Sequence, residues 1–213
     1  MSVETQIRTI QRRSLDWIVG HFPEVGLDRR AESFVPLFSE FIPPRAKVLD
    51  IGGSWGFYGE PLRRVRECEV TVLDVVEPKF RKAPVVTYEG DRIPFPDRSF
   101  DVCLLVTVLH HVRFPEKVLA EARRVSRRFV IVVEDLYHHG AGRLWTILRD
   151  TFYTLEFVGH PRQFRKKEEW RKCFESLGFR VSSEKEIYTS LFGIRILNGI
   201  FVLSTENGRT TNF

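Results

Sequence analysis

Three glycines follow an acidic residue in the segment VLDIGGSWGFYGE, which spans Val48 to Glu60. Gly52, Gly53 and Gly56 can adopt backbone angles that other residues avoid, and they let a ligand approach the main chain closely. The first amides of a following helix would point into the same space. The dinucleotide-binding pattern GxGxxG fails in both registers, and the pattern that fits is D-x-G-x-x-x-G, beginning at Asp50.

A second acidic residue, Asp74, lies eighteen residues beyond Gly56, at the end of the next apolar run. A carboxylate in that position can accept hydrogen bonds from both hydroxyls of a ribose. The acid before the glycines, Asp50, is unfavourable for a pyrophosphate and suits a positively charged ligand. These residues therefore predict a site for a cationic ligand that carries a ribose.

Two histidine pairs supply groups that can take up a proton near neutral pH. His110 and His111 follow the fourth predicted strand, and His138 and His139 follow the fifth. Adjacent residues at a strand end point to opposite sides, so at most one ring of each pair should face the site. His110 or His111 is the candidate catalytic base, and a hydrogen-bonded structural histidine is the alternative.

The elements that must position these residues alternate along the chain. Helical spacing of apolar residues predicts two N-terminal helices, the second capped by Ser33 with Pro36 in its first turn. The predicted strands are near-continuously apolar, which is typical of a parallel sheet covered on both faces. The strands are KVLDI, VTVLDVV, VVTY, DVCLLVT and RFVIVVE, with helices over 59–66 and from Pro115. The fold class is α/β, doubly wound and Rossmann-like.

Composition limits the class of protein. The chain has 213 residues, of which 43% are hydrophobic and 29% charged, enough for one well-cored domain. The longest apolar run is too short to span a bilayer and the N-terminus lacks the apolar stretch of a signal peptide, so we expect a cytoplasmic protein. Three dispersed cysteines show no metal-binding spacing, which predicts buried thiols and no structural metal.

The net charge of +5 raises the question of a nucleic-acid partner. The basic excess is spread along the chain as arginine pairs, with no block of five or six like charges, and this favours a solvated surface. Two of the pairs, Arg63-Arg64 and Arg127-Arg128, are predicted at the amino edge of the sheet, opposite the glycine turn. A nucleic acid is therefore the less favoured partner.

Together these residues resemble the class I S-adenosylmethionine-dependent methyltransferases, and more narrowly their small-molecule, type 11-like members. VLDIGGSWG is similar to the family's first motif, D-x-G-x-G-x-G, with Ser54 in place of the middle glycine, and TVLDVV is similar to the second. GDRIPFPDRSFDVCLLVTVLHHV resembles the third and fourth motifs, and PEKVLAEARRV the helix that follows. The resemblance runs from 47 to 134 and implies S-adenosylmethionine as the cofactor. It also implies a seven-stranded sheet whose last strand is antiparallel.

Carried over by position, the resemblance implies a set of cofactor-binding residues. The residues of the glycine turn would shape the pocket for the methionine part, and the acid after the second strand would hold the ribose hydroxyls. The pair at 91–92 would contact adenine, and the residue at 107 would face the methionine end and the acceptor. The set is Asp50, Gly52, Gly53, Ser54, Gly56, Asp74, Asp91, Arg92 and Thr107, with His110 and His111 as the candidate catalytic groups.

We expect a single methyltransferase domain over the whole chain. Its predicted parts are an N-terminal helical cap (1–44), a cofactor-binding core (45–135), a cap insert (136–166), and a C-terminal helix with closing strands (167–213).

The insert repeats apolar residues at helical spacing, namely Leu144, Leu148 and Phe152, with Trp145 beside them. This pattern predicts a helix whose apolar side covers the pocket, and hence a small hydrophobic or aromatic methyl acceptor. Packing of the same side chains on the sheet is the alternative. Two other functions stay open: methylation of tRNA or rRNA, and binding of the cofactor without catalysis, for which Ser54 is the only support in the sequence.

Overall fold

The structure is a computed structural model that describes residues 17, 27–78, 81–154, 161–191 and 193–205. The first predicted helix, built on apolar positions between Ile7 and Ile18, lies outside the described residues except for Trp17. The helices in the described ranges are α1 (Leu27–Phe38), α2 (Gly59–Arg66), α3 (Pro115–Val125), α4 (Gly140–Thr154) and α5 (Lys167–Ser176). Short 3₁₀ turns cover Ser39–Phe41 and Leu109–His111.

The strands form one seven-stranded sheet in the order β3-β2-β1-β4-β5-β7-β6. β7 runs antiparallel between β5 and β6, whereas the pairs from β3 to β5 are parallel. The doubly wound fold and the antiparallel last strand are thus confirmed. The strands are β1 (Lys47–Ile51), β2 (Glu69–Asp74), β3 (Val85–Thr87), β4 (Phe100–Val106), β5 (Ser126–Asp135), β6 (Arg180–Leu191) and β7 (Ile194–Ser204).

The order of the strands fixes where a ligand can bind. The chain moves outward from β1 to β2 and β3, and then returns to place β4 on the other side of β1. Ligands of open α/β sheets bind at such a reversal, outside the carboxyl ends of the two strands. The glycine turn follows β1 and the first histidine pair follows β4, so both predicted groups lie at this crevice.

Hydrophobic side chains cover both faces of the sheet. On one face, Leu119, Trp170 and Phe174 pack against Leu49 and Cys103. On the other, Phe34 and Phe38 of α1 pack with Val48 and Leu104 in a second cluster. Successive strand residues thus point to opposite layers, which holds the strand ends rigidly at the crevice. The three cysteines are buried and free, as expected.

The structure corrects one expectation about the helices. α1 begins at Leu27, so Ser33 does not cap it; the Ser33 hydroxyl instead donates to the Arg30 carbonyl at 2.8 Å, and Pro36 lies inside the helix. Among the described helices, none combines the length and the apolar character needed to cross a bilayer.

Candidate functional site

The glycine turn folds closely against its surroundings. Gly52 has a φ of +71°, its amide donates to the Leu73 carbonyl at 2.7 Å, and a Cβ on it would lie 2.7 Å from the Val108 side chain. A Cβ on Gly53 would lie 2.3 Å from Oδ2 of Asp50. Larger residues at these two positions therefore cannot fit without moving β1 or the segment after β4.

Ser54 adopts the backbone conformation that the family's glycine would provide. Its φ is 45°, in the left-handed region, and its amide donates to Oδ2 of Asp74 at 3.0 Å. Asp74 also accepts the Val76 amide at 3.1 Å, which ends β2 at residue 74 rather than at the predicted residue 76. The turn after β1 is thereby bonded to the acid at the end of β2.

Asp50 is a buried carboxylate with an unpartnered oxygen. It is 1% exposed, and its Oδ2 accepts no hydrogen bond within the described residues. Burial, and then the charge of Asp74, raise the pKa of Asp50 to about 7. A nearby positive charge stabilises a buried, ionised carboxylate. The carboxylate of Asp50 therefore fits the cationic methionine part of S-adenosylmethionine.

The predicted adenine-contacting residues and Thr107 also lie at the carboxyl edge of the sheet. Asp91 and Arg92 are exposed in the loop after β3, which is anchored at Ile93: the Ile93 amide donates to Glu121 at 2.9 Å. Thr107, directly after β4, has a φ of 54°, and its amide donates to the Val133 carbonyl at 2.7 Å. A β-branched residue is strained at this angle, and such strain is concentrated at functional sites.

The ring of His110 is buried between two carboxylates. Its Nδ1 lies 2.5 Å from Oε2 of Glu134, and its Nε2 lies 3.6 Å from Oδ1 of Asp150, too far for a hydrogen bond. Burial by itself lowers the pKa of His110, but Glu134 and Asp150 outweigh it and raise the pKa to about 10. Without another ligand, the ring is therefore positively charged at neutral pH.

Glu134 positions the turn that carries the histidines. Its side chain is fully buried, and its Oε1 accepts the amides of Val108 at 3.0 Å and Leu109 at 2.7 Å. Neither Glu134 nor Asp150 was predicted from the sequence to be a functional residue. Glu134 could have been suspected as an acid inside the apolar strand RFVIVVE, whereas Asp150 approaches only through the packing of α4.

The apolar side of α4 faces outward, which is the reverse of the predicted arrangement. Leu144, Trp145, Leu148 and Phe152 are exposed by 54% to 69%, whereas Thr146, Arg149 and Asp150 are buried. The reason is electrostatic: Arg149 pairs with Asp135 at the end of β5, and Asp150 approaches both His110 and His111. The helix therefore presents charged groups, not a hydrophobic cover, to this end of the sheet.

Part of the chain is similar in sequence to known methyltransferases. Residues 49–132 match a family model described as a methyltransferase domain. An uncharacterized protein of Methanocaldococcus jannaschii is 29% identical over 85 residues, covering 40% of this chain and 42% of that protein. A ubiquinone/menaquinone biosynthesis C-methyltransferase of Cupriavidus metallidurans is 30% identical over 99 residues, covering 40% and 41%. The chain thus matches about two fifths of the length of these curated relatives.

Solved structures share the fold over more of the chain. One is a chain in the complex of the Haloferax volcanii Trm112 methyltransferase activator with a methyltransferase. It has a TM-score of 0.69 at 14% identity, over 91% of this chain and 98% of that one. The magnesium protoporphyrin IX methyltransferase of Synechocystis, with bound S-adenosylhomocysteine, has a TM-score of 0.59 at 17% identity, over 84% of each chain. At these identities the likeness shows the fold.

Proposed function

Because residues 49–132 match a methyltransferase-domain model, we propose that the chain is a class I S-adenosylmethionine-dependent methyltransferase and transfers a methyl group from S-adenosylmethionine to a small acceptor. The observation that carries the proposal is the crevice at the ends of β1 and β2. There the buried carboxylate of Asp50, whose Oδ2 has no hydrogen-bond partner in the described part of the chain, lies against Gly53. The acid of β2, Asp74, accepts a hydrogen bond from the same turn. The glycine turn, the acid proposed to bind the ribose and the carboxylate proposed to bind the cation thus lie in one crevice.

The residues of the chain bind and orient more than they react. When bound, S-adenosylmethionine supplies a methyl group on a sulfonium, whose transfer requires mainly alignment with the acceptor. Gly52 and Gly53 allow close approach to the main chain, Asp50 favours the positive charge, and Asp74 accepts the ribose hydroxyls. Thr107, held to β5 by its amide, borders the methionine end of the pocket.

A small acceptor is favoured over a nucleic acid by how the arginines are used. Several of the paired arginines contact a carboxylate of the same chain, which lowers the charge available for phosphates. The contacts are Arg63 with Glu60, Arg64 with Glu32, Arg124 with Asp97 and Glu121, and Arg127 with Asp101. The names of two similar proteins also refer to small molecules: ubiquinone/menaquinone biosynthesis for the Cupriavidus protein and magnesium protoporphyrin IX for the Synechocystis protein.

The histidine pair after β4 is proposed to border the acceptor. His110 is 1% exposed, and its ring stacks on Phe164 at 4.4 Å, so an acceptor has no direct route to it. The side chain of His111 is 24% exposed and is the ring of the pair that an acceptor can reach. In this arrangement His110 holds the turn in position, whereas His111 contacts the acceptor.

Replacing the ribose acid should weaken cofactor binding without unfolding the chain. Asp74→Ala removes charge-assisted hydrogen bonds, so we expect affinity for S-adenosylmethionine and S-adenosylhomocysteine to fall by about 1–3 kcal/mol. Calorimetric titration measures this, with NADH as the control ligand. Glu77→Ala is the matched variant: it lies in the same segment, and its exposed carboxylate pairs with Arg81. Equal affinities of wild type and Asp74→Ala would exclude this ribose site.

Binding of S-adenosylmethionine should strengthen as the pH rises through 7. Below its pKa of about 7, Asp50 is mostly protonated and offers no negative charge to the ligand. Its ionised fraction increases about tenfold between pH 6 and pH 8, and we expect a similar gain in affinity. Asp50→Asn is the control, because this variant lacks the titrating carboxylate. Any remaining pH dependence of its affinity comes from ionisation of the ligand. A wild-type profile that coincides with that of Asp50→Asn would contradict the assignment.

The acceptor class needs a separate experiment. Release of S-adenosylhomocysteine across a panel of phenols, quinols, amines and thiols should be stimulated by at least one small acceptor. Filter binding of tRNA and rRNA at low and moderate salt tests the alternative, because phosphate contacts weaken steeply with salt. Tight cofactor binding with no turnover on any acceptor would favour a non-catalytic binding protein instead.

A further inference from the structure

Three possible metal ligands converge at the carboxyl end of β4 from two separate segments. They are His110 and His111 of the 3₁₀ turn and Asp150 of α4, and each offers a ligand atom within 4.8 Å of the others. Nε2 of His110 and of His111 lie 3.6 and 3.9 Å from the same oxygen, Oδ1 of Asp150. Ligands of a tetrahedral zinc ion are about 3.3 Å apart, so small side-chain adjustments would bring the three onto one ion.

The orphan nitrogen of His110 points independently to a ligand. Nε2 is buried and has no hydrogen-bond partner among the described residues. The other nitrogen, Nδ1, is held by Glu134, which fixes the ring orientation and directs Nε2 towards Asp150. Metal-binding histidines nearly always have such a carboxylate or carbonyl on the nitrogen that does not bind the ion, so Glu134 has the position of an outer-shell partner.

The charge balance favours a cation at the same place. Glu134 and Asp150 are 0% and 8% exposed, so two carboxylates are withdrawn from water around a single pair of imidazoles. Buried carboxylates are costly unless they are paired or coordinate a metal. Here the pairing depends on a proton on His110, and a divalent ion at Nε2 would replace that proton and neutralise both carboxylates. We propose that His110, His111 and Asp150 bind a divalent transition-metal ion, with Glu134 orienting His110.

The ligand types define the class of ion. Two imidazoles with one carboxylate suit zinc, iron(II), cobalt(II), nickel(II) or manganese(II), whereas calcium and magnesium prefer oxygen ligands alone. Three protein ligands leave coordination positions open for water or another molecule. Val108, directly before the turn that carries both histidines, lies against Gly52, so the proposed metal site is next to the glycine turn.

This site could not be inferred from spacing along the chain. The prediction of no structural metal was based on the cysteines. Here two ligands are adjacent histidines, and the third, Asp150, lies forty residues beyond His110. The assignment is also independent of methyl transfer, since it rests on side chains that the cofactor crevice does not use. Metal binding can therefore be tested in the absence of both cofactor and acceptor.

Cobalt(II) titration of the EDTA-treated chain, free of tag histidines, tests the proposal by calorimetry and by visible absorption. We expect one ion per chain with micromolar or tighter affinity and d–d bands from a bound site. His111→Ala and Asp150→Asn should each weaken binding at least tenfold, and Glu134→Gln by about 10–100-fold, the usual effect of an outer-shell carboxylate. His138→Ala is the matched control, because that imidazole is exposed and outside the cluster.

Two results would overturn the proposal. One is the absence of stoichiometric binding by a wild-type chain whose circular dichroism shows it to be folded. The other is binding that survives His111→Ala unchanged but is lost in His138→Ala, which would place the ion on the surface histidines. Either result leaves the cofactor titrations unaffected, so failure here is distinct from failure of the proposed methyl transfer.

Discussion

Asp135→Ala is expected to lower the free energy of unfolding by about 3–5 kcal/mol, the cost of removing one partner from a buried ion pair. Asp135 is 5% exposed, and its carboxylate joins three elements. It pairs with Arg149 of α4, and it accepts hydrogen bonds from Arg30 of α1 at 3.1 Å and from Asn198 of β7 at 2.6 Å. Its removal leaves the side chain of Arg149, itself 3% exposed, charged and without that carboxylate.

Urea unfolding followed by tryptophan fluorescence measures the loss. Asp97→Ala is the matched variant: Asp97 contacts Arg124 at 2.7 Å, but its side chain is 70% exposed. Exposed ion pairs contribute about 0–1 kcal/mol, so this variant should be close to wild type. Asp135→Asn should fall between the two, because an amide oxygen still accepts hydrogen bonds but carries no charge. Equal losses from Asp135→Ala and Asp97→Ala would mean that the network does not hold α4 in place.

The cofactor crevice could be predicted from the sequence because its determinants are local. Each strand reads as an apolar run, and its last residue fixes what stands at the carboxyl edge of a parallel sheet. β1 ends immediately before the glycine turn, as predicted, and Asp74 ends β2. Even the departure at Ser54 is explained locally, since serine takes the left-handed angle and its amide bonds to Asp74.

The groups around the histidines could not be predicted, because they meet only through tertiary packing. Periodicity identified the helix within the insert but assigned its apolar side to the pocket. The hydrophobic pattern predicts which residues lie on one side of a helix. Which side then packs against the rest of the fold depends on the contacts that each side can make. Here the buried partners of Arg149 and Asp150 outweigh the exposure of Leu144, Leu148 and Phe152.

Gly53→Ala is expected to weaken binding of S-adenosylmethionine at least about a hundredfold, which is about 2.7 kcal/mol. A Cβ at this position would lie 2.3 Å from Oδ2 and 2.5 Å from Cγ of Asp50, and 2.9 Å from the Val72 side chain. The buried carboxylate has to move, and displacements of about 1 Å in a binding site can cost this much. We also expect about 1–3 kcal/mol of lost stability from overpacking.

A control and a double variant separate the two effects. Gly59→Ala introduces the same methyl group in α2, where the nearest atom is 4.0 Å away, so affinity should be unchanged and the helix slightly more stable. Combining Gly53→Ala with Asp50→Ala removes the two closest clashing atoms but leaves the 2.9 Å approach to Val72, so part of the lost stability should return. Cofactor binding should stay weak, because the carboxylate is absent. If Gly53→Ala alone bound the cofactor as tightly as wild type, the ligand would have to lie away from the turn after β1.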